Sequence, residues 1–330
     1  MPDITADAAT PVLPGVRAVA AAPLVSAPFA TAIVEMGRER PDVVVISADL
    51  SKYTDVAPFS RAFPDRFFQV GMAEQNMMGI AGGLAKTGFT PVAVTYAVFA
   101  TRRAGEQVQM ALATGGRTAV VAAFLPGLTT PFRATHQATD DLAIMRTVPG
   151  MTVIDPMDAT ELSGAIRAAV SVAGPVYLRA QRGDVPEIIA PPADFEIGRC
   201  VLLRDGGDAG LIGTGLGSQW ALEAAELLAA RGIQTAVLHV PTLKPLNTDA
   251  IAGFAARFPA VTTVENHSVI GALGSAVCET VAGTGLACQV TRRGVPDQWA
   301  PSGPLGYLRR SLGLDAESLA DAVAASIGGG

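Results

Sequence analysis

The chain has 330 residues, 49% hydrophobic and 16% charged, enough for two domains of ordinary size with large cores. A formal charge of −6 and scattered Lys and Arg leave no basic footprint, which argues against a nucleic-acid partner. The 3 cysteines, Cys200, Cys278 and Cys288, are odd in number and lack metal-ligand spacing, so a reduced, cytoplasmic setting is expected. Residues 1–24 read as a flexible Ala/Pro-rich tail, and Met1 to Pro23 has no basic n-region of the kind a signal peptide carries. The apolar run from Ala18 to Val34 is broken by Pro23 and Pro28, so it reads as a lead into a helix and not as a membrane span.

Strand and helix signals then alternate. A helix is expected from Pro28 to Arg40, and the β-branched run Asp42 to Ser47 reads as a strand buried on both faces. Phe67 to Val70 is a short strand, Ala73 to Lys86 a helix closed by Gly88, Pro91 to Tyr96 a strand and Arg103 to Thr114 a helix. Ala119 to Phe124 is a strand, and a long Pro/Gly/Thr loop runs from Leu125 to Ala138. Thr139 is placed to cap the next helix, Met151 to Ile154 is a strand, and Asp158 with Glu161 makes a capping-box pattern. Pro175 to Arg179 closes this unit. Beyond a linker at 188–198, strands are expected near 209–212, 234–240, 261–264 and 287–291, with helices at 218–230, 249–258, 269–281 and 316–327. The fold class is α/β: two three-layer α/β/α domains with mostly parallel sheets, over 25–187 and 199–330. Ligands in such sheets bind beyond the carboxyl ends of the strands, which directs attention to the loops after Ser47, Val70, Tyr96, Phe124 and Arg179.

The strongest local feature is the run from Gly71 to Ala85, which follows a strand and opens a helix with Glu74 in its first turn. From spacing alone, Glu74 reads first as a charge complementing the helix dipole, worth about 0.3–1 kcal/mol. Phe99 alone reads as a core aromatic, and Arg182 alone is also compatible with a solvated charge at a strand end. His is scarce (3 in the chain), so His136 on a polar loop is a candidate by rarity.

Taken together, these segments resemble the transketolase family of thiamine-diphosphate enzymes, over about residues 25 to 328. Glu74-Gln75-Asn76 resembles the pyrimidine-domain signature, with Ser47 to Ser51, Phe63 to Phe67, Thr95 to Phe99 and Thr135-His136-Gln137 matching flanking motifs. The resemblance implies that Glu74 hydrogen-bonds the cofactor's pyrimidine nitrogen, that Phe99 stacks on the ring and that Tyr96 lines the pocket. It implies that His136 approaches the substrate and Arg182 its phosphate. Arg133 is an added candidate anion contact, since Phe132-Arg133 stands where the family usually carries Asp-Gly. The Gly213–Gly215, Thr242–Leu246 and Glu265–Ser268 segments resemble the family's C-terminal domain.

No Gly-Asp-Gly motif is present, so Mg2+ and the diphosphate are expected to be held mainly by a separate N-terminal diphosphate-binding subunit, in an α2β2 heterotetramer. The expected activity is a two-carbon ketol transfer between phosphorylated sugars. A deoxyxylulose-phosphate-synthase-like subunit is disfavoured by Asn76 and by Glu265-Asn266-His267. A 2-oxo acid dehydrogenase β subunit is disfavoured by Thr135-His136-Gln137. A non-catalytic scaffold or regulatory paralogue is the reading from another class.

Overall fold

The computed structural model describes residues 10–328. β1 (Leu24–Ser26) leads into α1 (Pro28–Glu39), where Pro28 fits the first turn and Phe29, Ile33 and Met36 are buried. β2 (Val43–Ser47) is buried at every position, as a β-branched strand covered on both faces must be. α2 (Ala57–Ala62), β3 (Phe67–Gln69), α3 (Glu74–Lys86) and β4 (Thr90–Tyr96) follow. Next come the short α4 (Gly105–Gln107), β5 (Ala119–Phe124), α5 (Arg133–His136) and α6 (Asp141–Thr147). β6 (Thr152–Ile154), α7 (Ala159–Ala169), β7 (Pro175–Ala180) and β8 (Asp184–Pro186) complete this part. The second part holds β9 (Val201–Arg204), β10 (Ala209–Gly213), α8 (Leu216–Ala230), β11 (Thr235–His239) and β12 (Thr242–Lys244). It ends with α9 (Thr248–Ala255), β13 (Ala260–Ser268), α10 (Leu273–Thr284), β14 (Gln289–Val295), α11 (Leu305–Ser311) and α12 (Ala316–Gly328).

The first sheet has 7 strands in the order β12-β6-β7-β5-β4-β2-β3, and the second has 5 in the order β14-β13-β10-β11-β9. Strands are parallel in both, except β12 against β6 and β9 against β11. Ser47 pairs with Gln69 and Val94, while Tyr96, Phe124 and Ala180 lie level. The carboxyl ends of β2, β3, β4, β5 and β7 therefore share one edge, and their loops meet there.

Several sequence expectations change. From residue 10 on, the expected flexible tail is held in place: Leu13 N donates to Leu202 O and Arg17 N to Ile188 O, both at 2.9 Å, and β1 pairs with β8. Residues 1–9 lie outside the described residues. The helix expected from Arg103 begins earlier, with a π turn at Phe99–Arg103. Thr139 does not cap α6; Asp140 takes the cap position and Thr139 O instead accepts from Ser268 N at 2.8 Å. Asp158 does cap α7, accepting from Glu161 N at 2.8 Å. β9, β12 and α11 had no clear sequence signal, and β12 adds a strand from the second part to the sheet of the first.

Two buried polar clusters join the parts. In one, Arg179 donates to Asp141 and Asp155 and, at 3.3 Å, to Asn266 O. Burial works against the Arg179 charge, but Asp141 and Asp155 outweigh it and raise its pKa. In the other, His239 lies between Glu161 at 2.8 Å and Ser218 at 2.6 Å.

Candidate active site

At the shared strand edge, Gly71 (φ +74) turns the chain from β3 into α3, the kind of conformation glycine adopts without strain. The turn leaves Glu74 at the start of α3 with its side chain only 2% exposed. Arg103 Nη1 donates to both Glu74 oxygens, at 2.9 and 3.0 Å. The Arg103 guanidinium also lies 4.4 Å from the centre of the Phe99 ring. Both residues belong to the π turn after β4, marked by Ala104 N donating to Phe99 O at 3.0 Å. Such turns add a residue to a helix and often re-aim side chains at functional sites. Gln75 Nε2 donates to Arg103 O at 3.1 Å and ties that turn to α3.

Tyr96, the last residue of β4, lies within 26° of parallel to Phe99 at 5.7 Å. Burial pushes the Tyr96 hydroxyl pKa up, opposed by the charge of Arg182. His136 meets Phe99 edge-on at 5.4 Å and Tyr96 at 6.2 Å, with Phe132 tilted against it at 5.2 Å. Thr135 Oγ1 lies 2.9 Å from His136 Nδ1 and donates to Phe132 O at 3.0 Å. A hydroxyl has one proton, so with Phe132 O taking it, Oγ1 accepts from Nδ1–H, the tautomer that in a neutral ring leaves the lone pair on Nε2. Next to this loop, Arg102 is braced by Asp140 and sits 5.5 Å from the exposed Trp299 ring.

Glu74, Tyr96, Phe99 and His136 thus come together, with Arg182 at the rim, 5.8 Å from the Tyr53 ring. Arg133 shares the His136 loop but is exposed, at φ +38. His267 is not part of the group: it is buried, with Nδ1 on Ser268 O at 2.8 Å and Nε2 accepting from Ala143 N at 3.3 Å. The sequence places Arg103 at the start of an expected helix and gives it no role, because its aim depends on the π turn. Tyr53 and Trp299 had no signal.

A buried carboxylate beside near-parallel aromatic rings suits a flat heteroaromatic ring with edge nitrogens, one face to stack and one edge to bond. Among the described residues, no cluster of 3 or more His, Cys, Asp and Glu is placed to hold a metal ion, and no helix is long and apolar enough to cross a membrane.

Residues 23–187 match the family model described as transketolase, pyrimidine binding domain, and residues 198–319 that of the transketolase C-terminal domain. The chain is 44% identical over 291 residues to the uncharacterised transketolase family protein y4mN of Sinorhizobium fredii, covering 87% of this chain and 84% of that one. It is 38% identical to the 6-deoxy-6-sulfo-D-fructose transketolase subunit SqwH of a Clostridium species, over 87% of this chain and 89% of that one. A solved structure of a split-gene transketolase, an inactive β4 tetramer, superposes with a TM-score of 0.84 at 40% identity, covering 91% of this chain and 97% of that one.

Proposed function

The chain belongs to the transketolase family, and from that premise we propose that it is the C-terminal subunit of a split transketolase. It moves a two-carbon ketol unit from a phosphorylated ketose to an aldose. The observation that carries this reading is the buried Glu74 carboxylate, linked through Arg103 to the face of Phe99, a pairing of carboxylate and ring suited to the aminopyrimidine of thiamine diphosphate. When bound, the cofactor supplies the electron sink for breaking a ketose C–C bond. Glu74 would bond the ring nitrogen, Phe99 would supply the stacking face and Tyr96 the wall. His136 Nε2, with its lone pair free, accepts a proton from a substrate hydroxyl. Arg182 and Arg133 receive the phosphate, to which a planar guanidinium fork is suited.

Mg2+ and the diphosphate fall to a separate N-terminal subunit, in an α2β2 assembly. The relative named as a subunit, and the inactive tetramer built of β chains alone, support that division. Phe132 gives the donor an apolar wall beside His136, which supports a ketose less hydroxylated than the usual ones, or larger.

Reconstitution tests the reading. The chain, its diphosphate-binding subunit, thiamine diphosphate and Mg2+ should transfer a ketol unit from a ketose phosphate to an aldose. Glu74→Gln should assemble but lose at least about two orders of magnitude in turnover. Unchanged turnover would remove Glu74 from its role, and decarboxylation of a 2-oxo acid in place of ketol transfer would reject the activity.

A further inference from the structure

One nitrogen of Arg103 contacts both oxygens of Glu74, at 2.9 and 3.0 Å, while its guanidinium carbon sits 4.4 Å from the centre of the Phe99 ring. A guanidinium is flat, with N–H donors along its edge and a face that stacks on aromatic rings. An aminopyrimidine is also flat, and would use the same carboxylate with its edge and the same ring with its face. Resting on the function proposed above, we propose that Arg103 is a resident stand-in for that ring. It pairs with Glu74 until the cofactor enters, then gives way to it.

The surroundings support an exchange. Glu74 is 2% exposed, so its charge needs a partner supplied from inside the site. Arg103 is 50% exposed, so its guanidinium has solvent to move into. The root of the arm is fixed: Ala104 N holds Phe99 O at 3.0 Å and Gln75 Nε2 holds Arg103 O at 3.1 Å, so only the side chain has to swing. The preceding arginine is committed elsewhere, with Arg102 donating to Asp140 at 2.8 Å and to Ala134 O at 2.7 Å. Arg103 therefore competes with the cofactor, and the apparent affinity is lowered by the fraction of time the arm lies in the site.

Arg103→Met keeps length but removes the charge and the flat face. In the chain assembled with its diphosphate-binding subunit, calorimetric titration with thiamine diphosphate and Mg2+ should show R103M binding about tenfold or more tightly than wild type. Without the cofactor, the R103M chain should melt at a lower temperature, because Glu74 is left unpaired. A lower melting temperature with no gain in affinity would overturn the proposal. So would weaker binding, the mark of an arginine that touches the bound cofactor. Should R103M fail to fold, Arg103→Lys keeps the charge and loses the flat face; it should bind more tightly than wild type, and equal or weaker binding counts against the exchange. A crystal structure of the wild-type assembly with cofactor gives a direct check: the guanidinium should have left Phe99, and its presence there would sink the idea. If neither wild type nor R103M takes up thiamine diphosphate, the proposed function itself fails. If wild type binds it and R103M binds no better, that function stands and the role of Arg103 falls.

Discussion

Arg133 holds a backbone conformation, φ +38, that glycine adopts with little strain and that costs a residue with a Cβ about 1–2 kcal/mol. Arg133→Gly should therefore stabilise the isolated chain by about 1 kcal/mol, read from the urea midpoint at unchanged slope. If Arg133 receives phosphate as proposed, the same variant should raise KM for phosphorylated substrates while leaving kcat in place. A more stable variant with unaltered KM would confine Arg133 to a surface role. Residue types near the site were partly legible: His136 stood out by rarity and Arg182 by its place after a strand. Arg179, three positions earlier at the end of the expected strand, lies buried among Asp141, Asp155 and Asn266. Which arginine stays exposed and which enters the core depends on what the second part of the chain places over β7, and local sequence does not carry that.

At the scale of elements, the glycines of α3 divide into two kinds. A Cβ on Gly82 would lie 2.3 Å from Ala111 O, so Gly82→Ala should destabilise the chain by about 1–3 kcal/mol. A Cβ on Gly79 or Gly83 would meet nothing within 4 Å. There alanine should be neutral or stabilising by about 0.5–1 kcal/mol through helix propensity. If that open face packs against another subunit, the Gly79→Ala and Gly83→Ala chains should be as stable as wild type yet assemble poorly by analytical ultracentrifugation; normal assembly would place the contact elsewhere. Continuous apolar strands such as β2 and β5 were legible because their pattern is local. The π turns at Phe99–Arg103 and Val108–Leu112 were not, because the helical stretches on either side are too short for a one-residue shift in apolar phase to show.

At the scale of the whole molecule, two buried neighbours on β13 contribute opposed pH dependences. Burial, against two backbone N–H donors, pushes the Glu265 carboxyl up to about 7 from an ordinary 4.5. An acid harder to ionise folded than unfolded binds extra protons in the folded state, so its contribution to stability is lost as pH rises from about 4.5 to about 7. His267 works the other way: burial holds its pKa below the ordinary 6.5, so stability is lost as pH falls below that value. Glu265→Gln removes only the first effect. Its stability relative to wild type should climb with pH between 4.5 and 7, by on the order of 3 kcal/mol, measured by urea unfolding at several pH values. A difference that stays flat with pH would show that Glu265 is ionised in the folded chain. The alternation of strands and helices made the two α/β parts legible, but not how they interlock, because a linker's composition says nothing of strands traded across it.

β12 leaves its own part of the chain to pair antiparallel with β6, where Thr242 meets Ile154 and Lys244 meets Val153. It pairs the outer N–H and C=O groups of β6 and becomes the sheet's edge itself, only 3 residues long and followed at once by Pro245, features that discourage strand pairing between molecules. The two family domains are therefore not independent modules in this chain. A cut near residue 198 would give a first fragment with a sticky border and a second with a stray ribbon. Gene fission or domain shuffling at that point would be punished by aggregation.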